Sequence, residues 1–249
     1  MHSSFQGLGG GQPISIASIS SNCADCSMHE LCLPAVVNNE DLDRLETILT
    51  KRVRVERGES LYRTGDVFTS LYAVRLGHFK TVYSEGPSSK QIIAFQMSGE
   101  MLGMEGIGQS RHKCSVIALE DSEVCEVPYA RLEELLTQLP SLQAHFHRMM
   151  SREIDREHQV MLLLGSMSAD QRVAAFLLNL SRRYEARGLS PNHFVLRMTR
   201  EDIGNYLGLT IESVSRVFSR FKKNDWIDGS PRDVRLRDRK ALEELCSHH

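Results

Sequence analysis

The sequence predicts an α+β protein with a β-rich body, one long helix and a compact helical unit near the C-terminus. Three observations predict this. Short β-branched or aromatic runs punctuated by glycine fill the stretch from about Val53 to Pro128, residues 141 to about 164 keep an apolar helical period, and two close-set helical segments meet at Gly208. With 41% hydrophobic and 25% charged residues, the composition excludes a wholly disordered or collagen-like chain. The longest apolar stretch, Val160-Met161-Leu162-Leu163-Leu164, falls far short of the ~20 residues that span a bilayer. No basic segment followed by an apolar one opens the chain, so a cytoplasmic protein without a membrane partner is expected.

Residues 1–22 are rich in Gly and Ser, lack charged residues and read as a flexible arm. A cysteine segment follows, Cys23-x2-Cys26-x5-Cys32, three of the six cysteines within ten residues. In a reducing compartment such clustering points to metal or redox chemistry rather than disulfides. A tetrahedral ion or a four-iron cluster needs a fourth ligand, for which Cys125 and His29 are candidates. Spacing alone leaves zinc, an iron–sulfur cluster and unrelated thiols open.

Leu42, Leu45, Ile48 and Leu49 then carry the spacing of a short amphipathic helix. Six strands are expected at Val53–Val55, Leu71–Val74, Phe79–Tyr83, Gln91–Phe95, Ser115–Leu119 and Glu123–Val127, with Asp and Gly at the turns, as in an antiparallel sandwich or barrel. A helix over Tyr129–Gln138 stops before Pro140, and the long helix runs from Ser141 to about Leu164. Within it Met150, Ile154, Glu157, Met161 and Leu164 are spaced 4, 3, 4, 3, the seam of a two-helix interface. A helix packed on its own core is the competing reading, and Glu157 is the anomaly, since an unpaired carboxylate in a seam is costly.

The last third begins with a helix over Ala169–Arg187. Residues 168–249 hold 15 Lys and Arg against 11 Asp and Glu, a net +4, whereas residues 1–167 hold 15 against 21, a net −6. A basic end on an acidic body suits nucleic acid. Thr199 and Asp202 form a capping box, Gly208 permits a left-handed turn, and Thr210 caps a second helix over Ile211–Lys223. Ile211, Val214, Phe218 and Phe221 are expected inside, with Glu212, Ser215, Arg216 and Ser219 on the opposite face. This is helix-turn-helix patterning, in which Glu212, Ser215 and Arg216, with Ser213 beside them, reach base edges, and Arg200, Arg220, Lys222 and Lys223 hold phosphates. A small β-hairpin around Val234-Arg235-Leu236-Arg237 completes the unit. The ten His are scattered or terminal and no Gly-rich dinucleotide fingerprint occurs, so an enzyme is not expected.

These stretches resemble the CRP/FNR superfamily of bacterial transcription regulators, specifically its fumarate–nitrate-reduction type oxygen sensors. The matching motifs are Cys23-Ala-Asp-Cys26-Ser-Met-His-Glu-Leu-Cys32, Val124-Cys125-Glu126-Val127-Pro128, Met161-Leu-Leu-Leu164, Asn179-Leu-Ser-Arg-Arg183, Asp202-Ile-Gly-Asn-Tyr-Leu-Gly208 and Glu212-Ser-Val-Ser215-Arg216. The resemblance implies a cyclic-nucleotide-binding-type β-roll over 23–140, a dimerisation helix over 141–166 and a winged helix-turn-helix over 167–249. It implies a 4Fe–4S cluster on Cys23, Cys26, Cys32 and Cys125, converted by oxygen to 2Fe–2S and then destroyed. It further implies a homodimeric activator that reads two-fold symmetric DNA with TTGAT-type half-sites and contacts RNA polymerase, for which the 83–90 loop is a candidate. An acidic residue at Glu157 also fits the family. Relatives that bind cyclic AMP carry a Glu where Met104 stands, and Arg111-His-Lys-Cys114 lacks their Arg-Ser/Thr pair, so that ligand is not expected. Cys114 and Cys246 lie off the pattern.

Overall fold

In the computed structural model of the chain, the described residues are 23, 26, 28–36, 38–49, 51–86 and 89–247. The expected N-terminal arm, residues 1–22, lies outside them. After two short 3-10 turns, His29–Leu31 and Leu33–Val36, helix α1 (Asn39–Ile48) is started by Asn38, whose side chain accepts the Asp41 N–H. Eight strands follow: β1 (Lys51–Val55), β2 (Ser60–Tyr62), β3 (Ser70–Leu76), β4 (His78–Gly86), β5 (Ser89–Met97), β6 (Met101–Leu102), β7 (Cys114–Ala118) and β8 (Ser122–Pro128). They form two antiparallel sheets, ordered β1-β8-β3-β6 and β2-β7-β4-β5. Alternate residues point inward, most plainly in β7, and Val55, Val74, Phe79, Leu102, Val116 and Val124 fill the space between the sheets. The expected sandwich or barrel is therefore a roll of two sheets. β2 and β6, three and two residues long, are too short to show a period in sequence.

Helix α2 (Tyr129–Gln138) has the predicted bounds, and α3 (Pro140–Ser166) runs slightly beyond its own, with Pro140 in its first turn. At 27 residues α3 is about 40 Å long. Its first turns bury Leu142 and Phe146 with Leu33, Leu45, Leu71, Val127 and Leu132, joining the cysteine segment, α1, α2 and the first sheet in one core.

The C-terminal unit comprises α4 (Ala169–Glu185), β9 (His193–Val195), α5 (Arg200–Leu207), α6 (Ile211–Lys223), β10 (Ile227–Gly229), β11 (Asp233–Leu236) and α7 (Arg239–Ser247). The bounds of α5 and α6 match expectation. The expected hairpin is a three-stranded sheet, β10-β11-β9, and α7 was not foreseen. Val82, Ile92, Phe95 and Met97 of the second sheet share a core with Phe176, Leu177, Ile203 and Phe218, so the unit is docked on the β-roll. Among the described residues no helix is long and apolar enough to cross a membrane.

Candidate metal centre and nucleic-acid interface

The cysteine segment is pinned at both ends. The Cys23 N–H donates to Glu46 Oε1 of α1 at 2.6 Å, and the Cys26 N–H to the Cys23 carbonyl at 3.1 Å. The Cys32 N–H donates to the Met28 carbonyl at 3.1 Å, while its own carbonyl accepts from His145 Nε2 of α3 at 3.2 Å. Leu33, fully buried, anchors the next residue in the core. Cys125 comes from the middle of β8, opposite Arg52 of β1 and Ala73 of β3. All four cysteines are half-buried thiols outside any disulfide.

Their sulfurs share one electrostatic neighbourhood. Burial pushes the Cys23 thiol up to about 12, with Glu46, Cys125 and Cys26 adding to it. Burial does the same for Cys32, to about 12, assisted by Cys23, Cys125 and Cys26 against the Leu33 backbone N–H. Cys125 is raised first by burial, a rise that neighbouring Arg52 and Arg75 oppose. Cys114, buried in β7, feels Glu105 and Glu157 instead, and Cys246 points toward the Gln171 carbonyl at 3.8 Å. Among the described residues no group of three or more His, Cys, Asp and Glu is gathered so as to hold a single metal ion. The donor set, four thiols with Arg52 near Cys23 and Cys125 and Arg75 near Cys125, suits a soft, thiolate-bound group whose uptake expels protons.

In the helix-turn-helix, Thr199 Oγ1 accepts the Asp202 N–H at 3.0 Å and Asp202 Oδ2 accepts the Thr199 N–H at 2.9 Å. Gly208 takes φ +62°, the left-handed turn between the helices. Thr210 caps α6 by accepting the Ser213 N–H at 3.2 Å. Val214, Val217, Phe218 and Phe221 face the core. Ile211, expected there, is 46% exposed, because the buried stripe is carried by the pair Val217 and Phe218 and leaves the first turn outside.

Glu212, Ser215, Arg216 and Ser219 are exposed on the opposite face, and Arg216 donates to Ser213 Oγ at 3.1 Å. The basic residues divide. Lys223 is exposed, Lys222 donates to the Gly229 carbonyl, and Arg220 pairs with Asp170 at the start of α4. Arg200 does not face outward as expected of a phosphate ligand: its guanidinium lies 3.2 Å over the Phe218 ring and donates to the Pro231 carbonyl at 3.0 Å. Burial lowers Arg200 to about 10. Sequence shows its charge but not its direction.

Residues 52–138 match the cyclic nucleotide-binding domain family, and residues 171–245 the Crp-like helix-turn-helix domain family. The chain is 46% identical to the transcriptional activator protein Anr of Pseudomonas protegens, over 87% of this chain and 89% of the relative. It is 39% identical to the fumarate and nitrate reduction regulatory protein of Escherichia coli K12, over 91% of each. The chain belongs to the CRP/FNR family of transcription regulators. Among solved structures, FixK2 from Bradyrhizobium japonicum superimposes with a TM-score of 0.73 at 28% identity, covering 80% of this chain and 98% of that one. This CRP/FNR protein is thus a transcription regulator with a DNA-binding domain, and not an enzyme.

Two further features bear on how this CRP/FNR chain works. A cavity of about 480 Å³ lies between the β-roll, α3 and α5. Glu105, Glu153 and Glu157 contribute to its lining, and no Lys or Arg does, so a cyclic nucleotide phosphate would meet acids rather than cations. On α3, Ile154 and Met161 are 50% and 62% exposed, with Leu162 and Glu157 also exposed. Met150 and Leu164, the outer seam positions, are half-buried against their own chain. Arg156, a candidate partner for Glu157 across a dimer, is engaged within its own chain by Glu153 at 2.8 Å and Glu100 at 3.6 Å. His145, which holds the cysteine segment, went unnoticed in sequence because a single histidine in a helical pattern carries no signal of its own.

Proposed function

We propose that this protein is an oxygen-responsive transcription regulator. Cys23, Cys26, Cys32 and Cys125 hold a 4Fe–4S cluster, and the homodimer reads a two-fold symmetric DNA site with TTGAT-type half-sites to control anaerobic-metabolism genes. What supports this is that Cys23, Cys32 and Cys125 feel one another and Cys26 electrostatically beside the first turns, α1, α3 and β8, although among the described residues the four thiols are not drawn together into a single-ion site. The names of the relatives, an activator and a fumarate and nitrate reduction regulator, support it.

The working division is an arm at 1–22, a sensor body at 23–140, a dimerisation helix at 141–166 and a DNA-binding domain at 167–249. When bound, the cluster supplies an oxygen-labile group. The residues do the rest. Cys32 and His145 tie the segment to α3; Met150, Ile154, Glu157, Met161 and Leu164 meet a second copy; and two α6 helices then present Glu212, Ser213, Ser215 and Arg216 to successive major grooves. Arg220, Lys222 and Lys223 supply the phosphate contacts, and residues 83–90, expected as a loop but lying largely in the facing ends of β4 and β5, are the candidate surface for RNA polymerase. A cytoplasmic location follows from this role.

Ser substitution at each of Cys23, Cys26, Cys32 and Cys125 is expected to abolish iron retention and anaerobic DNA binding, while Cys114→Ser and Cys246→Ser keep both. Full iron content in Cys125→Ser would remove β8 from the site.

A further inference from the structure

Between β5 and β6 the chain turns through Ser98, Gly99 and Glu100, and this turn lies between the cysteine segment on one side and α3 and α4 on the other. It is held to the β-roll by the Gly99 N–H donating to the Val74 carbonyl at 2.7 Å and the Val74 N–H to the Glu100 carbonyl at 2.8 Å. On one side lies the cysteine segment. Gly99 has φ +87°, and a Cβ built there would stand 2.9 Å from Leu31 Cβ and 3.6 Å from Met28 Sδ, so glycine permits both the backbone and the close seating of the segment.

On the other side, the Glu100 side chain, only 12% exposed, gathers three arginines. Arg183 of α4 donates through Nε at 3.0 Å and Nη2 at 2.6 Å, Arg187 just beyond α4 through Nη2 at 2.8 Å, and Arg156 of α3 stands at 3.6 Å. The same arginines hold the turn's backbone: Arg187 Nε donates to the Ser98 carbonyl and Arg183 Nη2 to the Phe95 carbonyl, each at 2.7 Å. Nearby, Lys80 pairs with Asp202 at 2.7 Å and Asn205 Nδ2 donates to the Lys90 carbonyl at 2.9 Å, which seat α5 on β4 and β5.

We propose that the Ser98–Gly99–Glu100 turn is the coupling element of this regulator. Leu31 and Met28 set the turn from one side, and Glu100 passes that placement to α3 and to the DNA-binding unit on the other. The contacts stand without any cofactor; that a cluster is what orders the segment rests on the proposed function. If the turn couples its two sides, the coupling is reciprocal, so loosening either side loosens the other.

Hydrogen–deuterium exchange on the full iron-free chain tests this without the cluster. Glu100→Gln is expected to speed amide exchange both in α5 and across residues 28–32 by about tenfold more than in β7 and β8, which report the global loss of stability. Leu31→Ala, on the opposite side, is expected to speed exchange in α5. Wild-type exchange in α5 for Leu31→Ala, or at residues 28–32 for Glu100→Gln, overturns the coupling. If β7 and β8 loosen to the same extent, Arg187→Met, which removes one cation of three, takes the place of Glu100→Gln under the same criteria. In a second arm, the DNA affinity of anaerobic iron-loaded protein is divided by that of iron-free protein, using one duplex with TTGAT half-sites. Glu100→Gln with wild-type iron content is expected to bring this ratio close to one, and a wild-type ratio overturns the proposal. Absence of iron in the wild type would sink the cluster reading alone, leaving the exchange arm to decide the coupling.

Discussion

Arg216 projects from the exposed face of α6 with its guanidinium on Ser213 Oγ, within one helical turn of Glu212 and Ser215. A fork of this kind pairs with guanine O6 and N7, so Arg216→Ala is expected to cost about 1–3 kcal/mol on the specific site and little on random DNA, measured by competition binding. Equal losses on both would contradict base reading. Lys223→Ala should weaken binding on every sequence and flatten its salt dependence. Arg200 is the contrasting case. Packed on Phe218, it belongs to the fold, so Arg200→Ala should lower stability by about 1–2 kcal/mol in urea unfolding and leave the salt slope as it was.

The Glu100 carboxyl has a signature in acid. Burial would raise it, but Arg183, Arg156 and Arg187 reverse that and hold it at about 2, below its ordinary 4.5. A depressed folded value means the unfolded chain binds the proton first. The stabilisation, roughly 3 kcal/mol, is therefore complete above pH 4.5 and is lost as pH falls toward 2. Glu100→Gln should be less stable than wild type at pH 7, and the gap in urea midpoints should close below pH 4.5. A gap that stays constant with pH would deny Glu100 this role. Sequence could show three clustered thiols, but the place of Cys125 on β8, opposite Arg52 of β1, is a matter of strand register that no local spacing reveals.

In the proposed dimer, the long helix α3 is the element on which assembly would turn. Ile154 and Met161 expose apolar surface that a second copy would bury, and Glu157 stands between them. In the proposed dimer, two symmetry-related carboxylates brought together would pay repulsion and desolvation, which would hold the iron-free chain toward monomer. Glu157→Ala is therefore expected to tighten self-association in air by about tenfold, or about 1.4 kcal/mol, read by sedimentation of iron-free protein. A variant that stays monomeric would remove Glu157 from the switch. The 3.6-residue period made α2, α3, α5 and α6 legible in sequence, with strong caps marking α5 and α6. It missed α7, a nine-residue helix with Leu242 as its buried anchor, which lacks the capping box that marks the eight-residue α5.

Across the whole molecule, the acidic body and the basic end meet through buried contacts rather than a loose linker. Phe95 of the β-roll lies against Phe176 and Tyr206 at 6.1 and 5.1 Å between ring centres, inside a core common to both parts. Two-part organisation was legible from charge and pattern, but this docking was not, because the apolar residues of β5 read equally well as the inner face of a sheet. Such a body can relay an event at the cysteine segment to the DNA-binding face as a population shift between assembled and dissociated states. The central claim, that a cluster on the four cysteines governs assembly, is tested most directly on anaerobically purified full-length protein, by visible absorption and sedimentation before and after exposure to air. The account predicts a brown dimer with about four irons per chain that bleaches in air and dissociates. A colourless, zinc-containing protein, or a dimer that persists after bleaching, would contradict it.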